Sequence, residues 1–267
     1  MSSHLELRLG DCIAGMGALD AGSIDLVVTS PPYNLAIRYL SYADDQSRED
    51  YLAWSRQWLA GLRRVLAPAG SFFLNVGASP RSPLLPHQLA LVASEFFTLQ
   101  NTIHWIKSIA VDRPGQETFS VGHYKPINSP RFLNELQEYV FHFTLEGNVP
   151  LDRLALGVPY QDKSNIARWQ HTRKKDRRCR GNVWFLPYQT IRSRQKERPH
   201  PATFPPELAR QAILLHGRDR VRHMLDPFVG IGSSALAARA EGIEQFTGFE
   251  IDEGYLEVAK ERLSELL

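Results

Sequence analysis

Short apolar runs alternate with amphipathic stretches along most of this chain, the rhythm of strands and helices taken in turn. Leu5 to Leu9 reads as a short strand, and Ile24-Asp25-Leu26-Val27-Val28, closing at Thr29, as a buried one. Tyr51, Trp54, Trp58, Leu62 and Val65 recur at helical spacing behind Ser47, a good capping residue, and predict a helix from Arg48 to Leu66. After the Pro68-Ala69-Gly70 break, Ser71 to Val76 predicts a strand, and Pro86 to Phe96 predicts a helix. Thr102 to Ile106 and Glu138 to Phe143 read as two further strands. Between them the Gly- and Pro-containing stretch from Arg113 to Pro130 is too long for a simple connection and reads as a functional loop. Pro205 to His216 and Asp252 to Leu266 predict helices. The alternation predicts an α/β fold with a mainly parallel, twisted sheet and helices on both faces.

Two junctions in this pattern carry chemistry. Thr29-Ser30-Pro31-Pro32-Tyr33-Asn34 follows a buried strand directly. Neither proline donates an N–H, and each fixes its own φ while restricting the residue before it. The result is a stiff turn offering a hydroxyl, carbonyls and a ring, suited to holding a planar amine. Taken alone, a Pro-Pro pair is more often an ordinary corner. The second junction, nearly two hundred residues downstream, is Met224-Leu225-Asp226-Pro227-Phe228-Val229-Gly230-Ile231-Gly232-Ser233-Ser234, leading into an alanine-rich run to Ala240. A strand, a Gly-x-Gly bend and a helix opening on serines suit a nucleotide-like ligand, because glycine admits close backbone approach and the helix start offers free N–H groups. Gln245 to Glu250 is a further apolar segment ending in an acid, placed where ribose hydroxyls are commonly held. A third glycine is absent, which favours a smaller nucleoside ligand over a dinucleotide.

Together these motifs resemble the DNA amino-methyltransferases, which use S-adenosyl-L-methionine. The order, catalytic motif first and cofactor motif last, resembles the permuted beta group of that family. His200-Pro201-Ala202-Thr203-Phe204-Pro205 is similar to its additional cofactor-side motif, and Gly10-Asp11 to its adenine-contacting one. The resemblance covers most of the chain. It implies a Rossmann-like methyltransferase fold with a small basic DNA-recognition insertion. The expected divisions are 1–147 for the catalytic half, 148–198 for target recognition and 199–267 for the cofactor half.

Composition changes this picture little, but charge distribution does. The 267 residues, 43% hydrophobic, suffice for one α/β domain with an insertion. No apolar run reaches membrane-spanning length, the start lacks the features of a signal peptide, and two cysteines give neither a disulfide framework nor a metal cluster, so a cytoplasmic enzyme is expected. Formal charge is only +2, yet eleven basic residues against two acids crowd the segment from Arg168 to Arg198. Arg173, Lys174, Lys175, Arg177, Arg178, Arg180, Arg192 and Arg194, beside Trp169, Trp184, Phe185 and Tyr188, read as a phosphate-tracking surface with aromatic anchors on double-stranded DNA. A solvated loop would account for the charge run alone. A homodimer and a cognate restriction endonuclease stand open as further partners.

The chemistry follows from the amine. Its lone pair is delocalised into the base ring, so acceptors on its hydrogens favour a pyramidal, nucleophilic nitrogen. The expectation is that Ser30 Oγ accepts one hydrogen and the Pro31 carbonyl the other, with Pro32 stiffening the turn and Tyr33 stacking on a base extruded from the duplex. On the resemblance, Asp226, Phe228, Gly230 and Gly232 frame the methionine and ribose end, Glu250 takes the ribose hydroxyls, and Asp11 with Cys12 meets the adenine. His200 and Thr203 line the methionine end. Alternatives stay open: a helix cap for Asp11, a strand-end acid for Glu250, a structural turn for His200. Asn34 serves either to orient the base or to cap a turn, while Asn75, His104, Trp105 and Lys107 read as core or rim. Ser30 and the Pro-Ala-x-Phe-Pro stretch look more like the N4-cytosine members than the N6-adenine ones. A protein glutamine-amide methyltransferase and an inactive DNA-binding relic are the competing classes. Carbon methylation is disfavoured, because neither Cys12 nor Cys179 sits in a Pro-Cys turn.

Overall fold

The computed structural model describes residues 4–34, 44–112, 114–122, 126–172, 174–187 and 203–265. The first half contains β1 (His4–Leu9), α1 (Cys12–Gly17), β2 (Ile24–Thr29), α2 (Arg48–Val65), β3 (Leu66–Val76), α3 (Leu85–Ala93) and β4 (Thr98–Ile106). Then come β5 (Ser108–Val111), β6 (Phe119–Gly122), β7 (Gln137–Thr144) and β8 (Val183–Phe185). The chain closes with α4 (Pro206–His216), β9 (His223–Asp226), α5 (Ser233–Ala240), β10 (Gln245–Glu250) and α6 (Glu253–Ser264). Eight strands form one open sheet in the order β1-β10-β9-β2-β3-β7-β4-β8, in which only β7 pairs antiparallel with its neighbours.

Both faces of this sheet are covered, as the near-continuous apolar strands require. On β2, Val27 packs with Trp58, Leu62 and Phe72 on one side, while Leu26 and Val28 pack with Leu208, Ile213 and Met224 on the other. Helix α2 has the expected face: Tyr51, Trp58, Leu59, Leu62 and Val65 are buried. Ser47 caps it by accepting from Asp50 N at 3.1 Å, and Glu49 and Asp50 at the start with Arg63 and Arg64 at the end complement its dipole.

The structure corrects several sequence expectations. Strand β3 runs from Leu66, because Pro68-Ala69-Gly70 bulges out without ending it: Ile24 pairs with Leu66 and Leu26 with Ser71. The long 113–130 connection is partly a hairpin, with β5 and β6 pairing from Ser108↔Gly122 to Val111↔Phe119. Within the basic segment, β8 adds to the sheet edge through His104↔Val183 and Ile106↔Phe185. Trp184 therefore enters the core at 1% exposure and is no DNA anchor, whereas Trp169 stays 44% exposed.

Between sheet and α4 lies a polar knot. Ser71 Oγ is 3.0 Å from His142 Nε2 and 2.9 Å from His216 Nδ1. Burial holds the imidazoles down, His142 to about 3 and His216 to about 4, against an ordinary 6.5. The unfolded chain thus takes up two protons that the folded one refuses, so stability is full above about pH 6.5 and is lost as pH falls toward 4. Asp226, pushed up by burial to about 6, and Glu250, also pushed up by burial, work in the opposite sense, while His223, held down by burial, adds to the two histidines. The urea midpoint should accordingly fall between pH 7 and pH 5; a level or rising midpoint would contradict this assignment.

Candidate active site at the carboxyl edge of the sheet

In open α/β sheets ligands sit outside the carboxyl ends of the parallel strands. Here β1, β10, β9, β2 and β3 point the same way, so Gly10, Glu250, Asp226, Ser30 and Asn75 meet at one edge. The pairing of β2 with β9, Leu26↔Met224 and Val27↔Leu225, brings the two distant motifs side by side. Thr29 Oγ1 then donates to Asp226 Oδ1 at 2.6 Å, tying the end of one strand to the end of the other.

The outcome is a single cleft of about 1030 Å³, open solvent at its mouth included. Ser30, Pro31, Pro32 and Tyr33 form one wall. Asp11, Cys12, Thr203, Phe228, Gly230 and Glu250 are among the other lining residues, together with Trp54 and Phe249, which nothing in the sequence marks for the site.

Each wall is held from behind. Tyr51 on α2 donates to the Pro32 carbonyl at 2.8 Å, which locks the Pro-Pro turn. Tyr33 is only 8% exposed; its hydroxyl lies 2.6 Å from Ser30 Oγ, 3.2 Å from Glu138 Oε2 and 3.3 Å from Asn75 Oδ1. Phe228 packs against Trp54 and Trp58, with ring centroids at 5.6 and 5.5 Å.

Several sequence-selected residues turn out to serve the frame. Asp226 does not line the cleft. It is buried and accepts from Thr29, Ser234 Oγ and the Phe228 amide, the last at 3.0 Å. Gly232 sits behind the bend at φ 83°, where a Cβ would meet Ala259 Cβ at 3.1 Å. Asp11 caps α1, its Oδ1 accepting from Ile13 N at 2.7 Å, while still facing the cleft. Glu250 Oε2 accepts from Gly230 N at 2.9 Å and Oε1 from Asp252 N at 3.0 Å, and burial pushes its carboxyl up. Burial also pushes up the Cys12 thiol, which disfavours it as a nucleophile.

In the basic segment, Lys174, Lys175, Arg177 and Arg178 are exposed. Arg177 is nevertheless committed to the Leu154 and Ala155 carbonyls at 2.6 and 2.9 Å, and Arg180 to Gln211 at 2.8 Å. Arg173, Tyr188, Arg192, Arg194 and His200 lie outside the described residues. Glu138 goes unmarked in the sequence as a site residue, and Asn75 and Lys107 read there only as core or rim. A buried Asn at the carboxyl end of the apolar run Phe72-Phe73-Leu74-Asn75-Val76, and an acid heading another, are the available signals.

A mainly parallel sheet with a cleft at its carboxyl edge, lined by a glycine bend and by a rigid polar turn, is the layout of a Rossmann-like methyltransferase fold. The family model for DNA methylases of the N6/N4 type matches residues 24–261, and the chain belongs to that family of DNA methyltransferases. Among its relatives, the Type II methyltransferase M.ScaI of Streptomyces caespitosus is 28% identical over 267 residues, covering 98% of this chain and 82% of that protein. The cytosine-N4-specific PvuII DNA methyltransferase shares the fold with a TM-score of 0.68 at 17% identity, over 98% of this chain and 87% of that one. A Thermus thermophilus protein assigned as a DNA modification methylase, solved with S-adenosyl-L-methionine, does so with a TM-score of 0.61 at 22% identity, over 98% of this chain and 93% of that one.

Proposed function

We propose that this enzyme methylates the exocyclic N4 amine of a cytosine extruded from double-stranded DNA, using S-adenosyl-L-methionine. The observation that carries the reading is the shared cleft: the Ser30-Pro31-Pro32-Tyr33 turn lines the same cleft as Gly230 and Glu250. The donor set fits the cofactor. Glu250 offers half-buried carboxylate oxygens to ribose hydroxyls, Phe228 and Phe249 offer apolar surface to a purine, and Gly230 at φ 52° lets the backbone approach closely. Bound there, S-adenosyl-L-methionine supplies an electrophilic methyl group.

The chain's own residues then act on the amine. Ser30 Oγ and the Pro31 carbonyl accept its two hydrogens and expose the lone pair, while the Tyr33 ring walls the base in. Extrusion is required because the target atom is inaccessible inside a duplex. Lys174, Lys175 and Arg178, with the exposed Trp169, are the phosphate-facing candidates in the described part of the basic segment. Serine at the head of the motif supports cytosine; N6 of adenine is the alternative within the same family.

Replacing Glu250 by Gln sets an amide donor where a backbone N–H or ribose hydroxyl now donates. The Kd for S-adenosyl-L-methionine should rise roughly tenfold to a hundredfold, measured calorimetrically; an unchanged Kd would remove Glu250 from the cofactor site. The substrate is tested by incubating protein, labelled methyl donor and DNA, then identifying nucleosides by mass spectrometry. N4-methylcytosine is expected. N6-methyladenine would move the reading to the alternative, and label on protein alone would end it.

A further inference from the structure

Behind the proposed amine-binding turn lies a chain of polar groups that leads away from the cleft. Tyr33 Oη touches Ser30 Oγ at 2.6 Å and Glu138 Oε2 at 3.2 Å. Asn75 Nδ2 donates to the same Glu138 oxygen at 3.0 Å, and Lys107 Nζ pairs with the other at 3.1 Å. Only 12% of the Glu138 side chain and 15% of that of Lys107 are exposed. Gly77 keeps the cluster closed: a Cβ there would come within 3.1 Å of Glu138 Cγ and 3.2 Å of Tyr33 Cε2.

The direction of the hydrogens follows from what surrounds the tyrosine. A phenol owns one hydrogen, and acceptors within reach of it among the described residues include Ser30 Oγ, the two Asn75 oxygens at 3.3 Å, and the Glu138 carboxylate. A carboxylate is the strongest of these. With Tyr33 donating to Glu138, the phenolic oxygen is left to accept the Ser30 hydrogen across 2.6 Å. Ser30 then turns lone pairs, not its hydrogen, toward the cleft. An amine needs that polarity, and a serine alone does not guarantee it, because a hydroxyl rotates to suit its partner.

We propose that Glu138 is a positioning residue that acts through Tyr33 to hold Ser30 as an acceptor, and that it receives the proton shed by the methylated amine. The proposal rests on the amine-methylation reading above. Once the nitrogen has gained its methyl group it carries one positive charge and one hydrogen too many. That proton passes to Ser30 Oγ as the Ser30 hydrogen passes to Tyr33 Oη and the Tyr33 hydrogen to Glu138 Oε2. Both hydroxyls are restored, the methylated amino group is neutral, and Glu138 holds the proton until it returns to solvent.

Two variants test this. Glu138→Gln keeps the shape but offers Tyr33 an amide. Tyr33→Phe keeps the ring and the Glu138–Asn75–Lys107 cluster but removes the link. Each should slow single-turnover methylation of DNA roughly tenfold to a hundredfold, with S-adenosyl-L-methionine and DNA affinities within about twofold of wild type. Because both cut one chain, the double variant should be no slower than the slower single one. Wild-type rates in either variant, or effects that multiply, would overturn the proposal. Should Glu138→Gln fail to melt cooperatively, Tyr33→Phe decides by itself, full rate counting against the relay. Failure of the relay alone appears as variants that match an active wild type, whereas a wild-type protein that methylates no DNA overturns the amine reading as well.

Discussion

Replacing Ser30 by Ala should lower single-turnover methyl transfer roughly tenfold to a thousandfold, the usual cost of removing one preorganised polar group from a reacting centre. Ser30 is held in place by the turn itself, through the Pro31-Pro32 pair, the Tyr51 hydroxyl on the Pro32 carbonyl and the 2.6 Å contact to Tyr33. Deleting one oxygen removes the last of these contacts but leaves the Pro-Pro turn and its Tyr51 bond standing, with Tyr33 still bonded to Glu138 at 3.2 Å. Cofactor affinity and melting temperature should therefore stay near wild type while the rate drops. A variant that turns over at the wild-type single-turnover rate removes Ser30 from the chemistry.

Asp226→Ala should do the opposite, acting first on folding. Thr29 Oγ1, Ser234 Oγ and the Phe228 amide all donate to this buried carboxylate. Removing it leaves three donors without an acceptor in a place water does not reach, and each such group costs on the order of 1–3 kcal/mol. Partial relief comes from no longer burying a carboxyl whose charged form burial disfavours, its pKa raised to about 6. A net loss of roughly 2–4 kcal/mol is expected, lowering the melting temperature by roughly 5–15 °C. Methyl-donor binding should weaken with it, because the same contacts join the β2 and β9 ends whose turns form the cleft. Wild-type melting would show that the two strand ends hold together without Asp226.

Much of this arrangement is legible in the sequence, and the exceptions have physical causes. Helix α2 announces itself through Tyr51, Trp58, Leu62 and Val65, because eighteen residues supply several turns of the same period. The strands β2 and β10 are legible as apolar runs with polar ends. What no periodicity encodes is which strand lies beside which. The β2–β9 pairing spans nearly two hundred residues, so the Thr29–Asp226 contact, and with it Asp226's role as a frame residue, becomes visible only in three dimensions. The same holds for Glu138: an alternating strand says which face a side chain occupies, not that antiparallel β7 delivers its first residues to Tyr33. Trp184 reads as a DNA anchor in the sequence because a three-residue strand is too short to show a period and lies among arginines. Charge density conceals a core position.

The central claim is spatial: the Pro-Pro turn and the glycine bend serve one reacting centre. A crystal structure with sinefungin, the amine analogue of the methyl donor, tests it most directly. The account predicts ribose hydroxyls on the Glu250 carboxylate and the analogue's amine pointing at the Ser30–Pro31 wall. An analogue bound elsewhere, or seated with its amine turned from Ser30, would contradict it.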